Sequence, residues 1–141
     1  MILLDTNVLS EFMRVAPEPG VVAWLDEQAS DKIWICAVTR AEVELGIALL
    51  PEGRRKQGLK LKAEALFQDD FAGRCLPFDG VAAGHYARIV AARTGIGKPI
   101  SVEDAQIAAI ALTHGLTLAT RNVADFRNIE ALAVMNPWDR K

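Results

Sequence analysis

The sequence predicts an α/β fold, with a mostly parallel β-sheet covered by helices on both faces. Short apolar runs alternate with stretches of helical periodicity along the whole chain. The runs are continuously apolar rather than alternating, as expected of strands buried on both faces. Size sets the scale: 141 residues, 51% hydrophobic and 24% charged, suit one domain with a real core. That domain is expected to span residues 1–141.

Ile2–Leu4 is the first expected strand, followed by a short helix over Val8–Met13. Pro17-Glu18-Pro19-Gly20 reads as a loop. Val21–Gln28 reads as a helix, with Val21, Trp24 and Leu25 at i, i+3 and i+4. Ile33–Cys36 is the second strand. Thr39 is expected to cap a helix running to about Leu50, which Pro51-Glu52-Gly53 ends. Arg54 to about Asp70 is a strongly charged helix with Leu59, Ala63, Leu66 and Phe67 as its apolar stripe. Cys75–Phe78 is a brief third strand, and Asp79 opens a helix reaching about Thr94. After the loop Gly95–Ile100, Ser101 caps the most apolar helix, Glu103 to about His114, with Gly115 as its C-cap. Leu116–Ala119 and Ala133–Met135 are the last strands, and Asn136-Pro137 closes the fold.

Several function classes fall away on composition. No apolar run approaches the roughly 18 residues of a membrane span, and the opening Met1-Ile2-Leu3-Leu4-Asp5 has no basic region before its apolar stretch. A cytoplasmic protein is expected. Cys36 and Cys75 lack a C-x-x-C pattern or a neighbouring His and read as two reduced core thiols. His85 and His114 are too few and too isolated for a metal cluster. A net charge of −2 argues against coating nucleic acid through bulk charge but leaves room for a local basic groove.

Three acids stand at element junctions, where an open α/β sheet gathers its ligand site. Asp5 directly follows the first strand. Glu42 is expected in the first turn of the helix after the second strand, and Asp104 in the first turn of the helix opened by Ser101. Each also has a purely structural reading: Thr39-x-x-Glu42 and Ser101-x-x-Asp104 match capping boxes or a close version, and Asp5 suits a cap. Two considerations favour function. Asp104 shares its helix face with Ile107, Ala108 and Ala111, whereas Glu103 sits with Gln106, so Asp104 points inward. No Lys or Arg stands within a turn of Asp5 or Asp104, although Arg40 is near Glu42. Converging carboxylates repel one another, and a divalent cation would resolve the conflict. Oxygen ligands without His or Cys favour Mg²⁺ or Mn²⁺ over zinc, ions that serve phosphodiester cleavage.

Four ordered motifs carry a resemblance. They are Ile2-Leu3-Leu4-Asp5-Thr6-Asn7-Val8-Leu9, Thr39-Arg40-Ala41-Glu42-Val43-Glu44-Leu45-Gly46, Ser101-Val102-Glu103-Asp104-Ala105-Gln106-Ile107-Ala108-Ala109 and Leu118-Ala119-Thr120-Arg121-Asn122-Val123-Ala124-Asp125-Phe126. In order, spacing and total length the chain resembles a PIN domain of the VapC type, the toxins of type II toxin–antitoxin pairs. The resemblance implies a three-layer α/β/α sandwich around a parallel sheet of about five strands. It implies an acidic centre of Asp5, Glu42 and Asp104, with Asp5 and Asp104 as metal ligands and Glu42 ligating directly or through water. It further implies Mg²⁺- or Mn²⁺-dependent endoribonuclease activity on RNA, an antitoxin whose tail occupies the active-site groove, and a homodimer.

Many PIN domains carry a fourth acid where this chain has Asn122. An Asn carbonyl can meet metal-bound water but adds no charge, so a tightly held second metal is not implied. Asp125 is expected to anchor its loop, with Phe126 packed beneath. Thr6, Asn7 and Thr120 are expected as supporting residues, Thr6 and Thr120 bonding the acids, a phosphate or only a turn. Arg14, Arg40 and Arg121, close in sequence to the motifs, are the candidate substrate contacts. The denser run Arg54, Arg55, Lys56, Lys60 and Lys62 reads as a solvated face before a phosphate-binding one.

Three other readings compete. An aspartyl-nucleophile phosphatase needs an acid two residues after Asp5, where Asn7 stands. A phosphoacceptor receiver module needs adjacent acids by the first strand, and none are there. A catalytically weak PIN-fold protein, acting mainly by binding its antitoxin, is the alternative that the missing fourth acid keeps.

Overall fold

A computed structural model describes residues 1–139 of the chain; the last two residues of the expected 1–141 domain lie outside that range. The elements run β1 (Ile2–Leu4), α1 (Thr6–Phe12), α2 (Pro19–Asp26), β2 (Ile33–Cys36), α3 (Ala37–Ala48), α4 (Arg54–Ala65), β3 (Cys75–Leu76), α5 (Gly80–Gly95), α6 (Val102–His114), β4 (Thr117–Ala119) and β5 (Val134–Met135). Short 3₁₀ turns at Ser30–Lys32 and Val123–Phe126, and a π turn at Leu66–Asp70, complete the described elements.

The strands form one parallel sheet in the order β3-β2-β1-β4-β5. The register explains the layering. Leu3 pairs with Leu118 and Leu4 with Ala119. Leu3 and Leu118 face a core shared with Ile107, Ile110 and Ile89 of α6 and α5. Leu4 and Ala119 face the opposite core, with Leu9, Val43, Ile47 and Phe67 of the α1–α4 side. Neighbouring strand residues thus serve opposite layers, and both strand faces are apolar because both are covered. This is the expected three-layer α/β/α sandwich.

Helix α6 is the most buried, with Ala105, Ile107, Ala108, Ala109, Ile110 and Ala111 all enclosed. Its alanines let it approach the sheet closely, and truncating Ile107 or Ile110 to Ala would cost about 2–5 kcal/mol. Its ends are as expected: Ser101 Oγ accepts the Asp104 N–H at 3.1 Å, and Gly115 takes the left-handed conformation, φ 64°.

Several boundaries differ, each for a local reason. Helix α1 begins at Thr6 because Asp5 itself caps it, its Oδ1 accepting the Thr6 N–H at 2.8 Å. Helix α2 begins at Pro19, a residue tolerated at the first helical position because it has no N–H to satisfy. The charged helix finishes in the π turn. Strand β3 stops at Leu76, since Pro77 has no N–H for the ladder.

Thr39 is not a helix cap. Helix α3 starts directly from β2 with Cys36 at the cap position and no side-chain cap bond. Thr39 is fully buried within the first turn, in contact with Cys36 Sγ at 3.6 Å. Glu42, the sixth residue of α3, therefore stands in the second turn, beyond the strongest reach of the helix dipole.

Candidate active site

The chain order reverses beside β1: β2 and β3 lie on one side, β4 and β5 on the other. The carboxyl ends of β1 and β4 therefore border the switch-point crevice where parallel sheets bind ligands. Asp5 leaves β1 there, and Thr120 leaves β4 beside it, with the Asp5 N–H donating to the Ala119 carbonyl at 2.9 Å.

Asp5 is 4% exposed. Its Oδ2 accepts from Thr120 Oγ1 at 2.7 Å and Asn7 Nδ2 at 3.1 Å, and its Oδ1 from the Thr6 N–H. Both lone pairs of Oδ2 are thereby used, while Oδ1 retains one. Burial pushes the Asp5 carboxyl above its ordinary range, partly opposed by the bonds from Thr120, Thr6 and Asn7 and reinforced by Asp125.

Thr120 is fully buried, and its hydroxyl also accepts the Asn122 N–H at 3.0 Å. Asn7 spans the same gap, its Oδ1 accepting the Arg121 N–H at 3.1 Å. Glu42 is held from α1: Thr6 Oγ1 donates to its Oε1 at 2.6 Å. That contact uses the one hydroxyl proton of Thr6, which also stands 3.4 Å from Thr39 Oγ1.

Asp104, half-buried at the start of α6, has its carboxyl pushed up to about 6. Burial is the main cause, followed by the negative charge of Asp5, with Asp125 and Glu42 adding to it. Four carboxylates are thus electrostatically joined. Asp125 is exposed, and its charge acts on both Asp5 and Asp104, while Phe126 next to it is buried. Sequence reasoning looked for a fourth acid at position 122, where Asn122 is exposed, and took Asp125 only as an anchor. Asp125 belongs to a 3₁₀ turn that no periodicity signals.

Among the described residues the ion pairs are Arg14–Glu11, Arg40–Glu44 and Lys56–Glu52, so none neutralises Asp5, Glu42 or Asp104. No three His, Cys, Asp or Glu side chains among the described residues stand close enough to hold a metal ion as placed. The donor set nevertheless suits a hard cation: carboxylate oxygens without His or Cys, facing one another unneutralised.

The three candidate arginines part company. Arg14 lines a cavity of about 760 Å³ that also includes Thr6 and Glu42. Arg40 turns the other way, pairing with Glu44 and lying over the Phe67 ring at 4.8 Å. Arg121 lies over the Trp138 ring at 5.0 Å. The basic run of α4 also divides. Arg54, Arg55 and Lys62 line the cavity beside Glu42, while Lys56 and Lys60 line a separate crevice. A solvated face therefore describes only part of it. Glu11, a 5% exposed acid in α1, was not anticipated; the signal was a carboxylate on the face shared with Val8.

Residues 2–132 match the family described as PIN domain. The chain is 46% identical to Toxin FitB of Neisseria gonorrhoeae over 98% of this chain and 99% of that protein. It is 39% identical to VapC ribonuclease Y4jK of Sinorhizobium fredii, covering 99% of each. Among solved structures it resembles that of FitAB bound to an IR36 DNA fragment, with a TM-score of 0.92 at 44% identity, over 100% of this chain and 98% of that one.

Proposed function

Because the chain belongs to the PIN-domain family, we propose that it is the toxin of a type II toxin–antitoxin pair, a divalent-metal-dependent endoribonuclease held in check by a cognate antitoxin. The observation that carries this reading is the unneutralised acid centre. Asp104 is pushed to about 6 by burial and by Asp5, Asp125 and Glu42, and no cation of the chain is paired with Asp5, Glu42 or Asp104 among the described residues. A fold tolerates such repulsion where a bound cation relieves it.

On this reading Asp5 and Asp104 are ligands of Mg²⁺ or Mn²⁺, Glu42 ligates directly or through water, and Asp125 adds the charge that Asn122 does not. When bound, the ion supplies an activated water and neutralises charge on the phosphate. The protein's part is positioning. Thr120 and Asn7 occupy Asp5 Oδ2 and leave Oδ1 its open lone pair. Thr6 binds Glu42 Oε1 and turns the carboxylate with it. Hydrolysis would be in line, with no covalent enzyme intermediate.

Partnership rests on the relatives: the chain is 46% identical to a protein named Toxin FitB, and FitAB, 44% identical, is solved bound to a DNA fragment. We assign this chain a cognate antitoxin and a homodimer or toxin–antitoxin hetero-oligomer, working in the cytoplasm as one domain. No helix among the described residues is long and apolar enough to cross a membrane.

The test is cleavage of a pool of structured RNAs by purified, antitoxin-free protein with Mg²⁺, Mn²⁺ or chelator, beside Asp5→Asn and Asp104→Asn. Metal-dependent cleavage lost in both variants is expected. No cleavage of any pool member by folded wild-type protein would favour a PIN-fold binding protein.

A further inference from the structure

Among the described residues Arg93 is the only lysine or arginine that is buried, and no carboxylate among them pairs with it. A buried guanidinium is costly unless its N–H groups find acceptors. Here the acceptors are peptide carbonyls. Nε donates to Lys98 at 2.7 Å, and the two hydrogens of Nη1 go to Asp125 at 2.9 Å and Arg127 at 3.0 Å. Arg93 stands in the last turn of α5, where the helix dipole favours a cation. That dipole does not account for the bonds to residues 125 and 127, which belong to another segment.

Both segments lead to an acid of the centre. The Lys98 N–H donates back to the Arg93 carbonyl at 2.9 Å, so these two residues are joined in both directions. The link between them closes through Gly97, left-handed at φ 71°. Three residues beyond Lys98, Ser101 caps α6 and binds the Asp104 N–H. On the other side lies the 3₁₀ turn Val123–Phe126, which carries Asp125. Thr120 ties the start of that turn by accepting the Asn122 N–H, and Arg93 ties its end. Straight after the second carbonyl the chain turns left-handed at Asn128, φ 63°, a conformation that Asn tolerates. Asp104 and Asp125 repel one another. Arg93 bonds their backbone segments and neither carboxylate, so it holds the two charges in place without pairing with them.

We propose that Arg93 is a positioning residue of the metal centre: by joining the Lys98 carbonyl to those of Asp125 and Arg127, its guanidinium sets the separation of Asp104 and Asp125 and with it the affinity for a divalent cation. The proposal rests on the metal-dependent reading of the acid centre and extends it to a residue outside the crevice. Arginine suits the task because its planar fork reaches both segments at once, whereas a lysine ammonium is a point donor on a flexible stem.

The experiment titrates Mn²⁺ alone into the full, antitoxin-free chain by calorimetry, with Tm recorded for each variant in chelator. Arg93→Met is expected to weaken Mn²⁺ binding about tenfold, as is usual when a residue that orients a metal ligand is removed. Arg93→Lys, which keeps the charge and loses the fork, is expected to weaken it in the same sense and serves alone if Arg93→Met does not fold. In an Asp125→Asn background either change is expected to have little further effect, because the separation it disturbs no longer involves two charges. Ile89→Val, a change in the buried core beneath the same helix, is expected to lower Tm and leave Mn²⁺ affinity unchanged. Affinity unaltered by the Arg93 variants, or fully kept by Arg93→Lys, would overturn the positioning while leaving the metal centre standing. An equal loss in the Asp125→Asn background, or a comparable loss from Ile89→Val, would show general loosening and overturn it too. No Mn²⁺ binding by folded wild-type protein would bring down the metal-dependent reading itself, and the proposal with it.

Discussion

Thr120 Oγ1 lies 2.7 Å from Asp5 Oδ2 and joins residues 115 positions apart in the chain. This bond sits between the carboxyl ends of two neighbouring strands and lowers the carboxyl that burial has raised. Thr120→Val keeps the shape and removes the donor. It should cost about 1–3 kcal/mol in urea denaturation, since a buried acceptor loses a partner, and push the Asp5 carboxyl further up. An unchanged midpoint would mean that Asn7 and the Thr6 N–H suffice.

The pH dependence of the metal-free fold follows from Asp104. Its folded carboxyl titrates near 6 against an ordinary value of 3.8, so the folded state binds the proton more tightly than the unfolded chain. The stability this confers is present at low pH and is lost as pH rises through that window. Asp5 is shifted in the same direction. Glu11 acts oppositely, lowered chiefly by the Glu18 N–H, but its loss begins only below its ordinary 4.5. In chelator, the Tm should therefore rise as pH is lowered from 7 to about 5, and Asp104→Asn should blunt the rise. A wild-type Tm falling across that interval would contradict the arrangement.

Asp125→Asn removes one charge that raises both Asp5 and Asp104. It should increase the metal-free Tm near pH 7 and at the same time weaken Mn²⁺ binding in a calorimetric titration. Tighter binding by the variant would exclude Asp125 from the ion's surroundings.

How far the site is legible in the sequence depends on how local its causes are. Asp5, Ser101 and Gly115 act on their own turn of chain, and each stands where its residue type and position predict. Thr39 looks like a cap from its spacing to Glu42. It is a core residue because β2 passes into α3 at Cys36 without a polar cap. Arg40 is near Glu42 in sequence, but the helix turns it toward Phe67. Which side of α4 meets the site depends on how Leu59 and Ala63 pack among the neighbouring helices, and charge spacing alone does not say.

Arg93 is 7% exposed and donates to three carbonyls: Lys98 at 2.7 Å, Asp125 at 2.9 Å and Arg127 at 3.0 Å. It fastens the end of α5 to the turn carrying Asp125. Arg93→Met should speed amide hydrogen exchange at residues 123–127 while leaving the centre of α6 protected. Uniformly faster exchange would indicate global destabilisation instead.

The strand order has a consequence for when activity can appear. β1 is central, yet it pairs with β4, which is made more than a hundred residues later, and Asp5 receives its Thr120 bond from that late segment. A chain still leaving the ribosome with Thr120 unsynthesised has Asp5 without its partner and the crevice without its second wall. Sheets of such distant pairings also fold slowly. On the proposed reading, a newborn toxin is harmless until its last third has been made and docked, and that delay is an interval in which its antitoxin can reach it first.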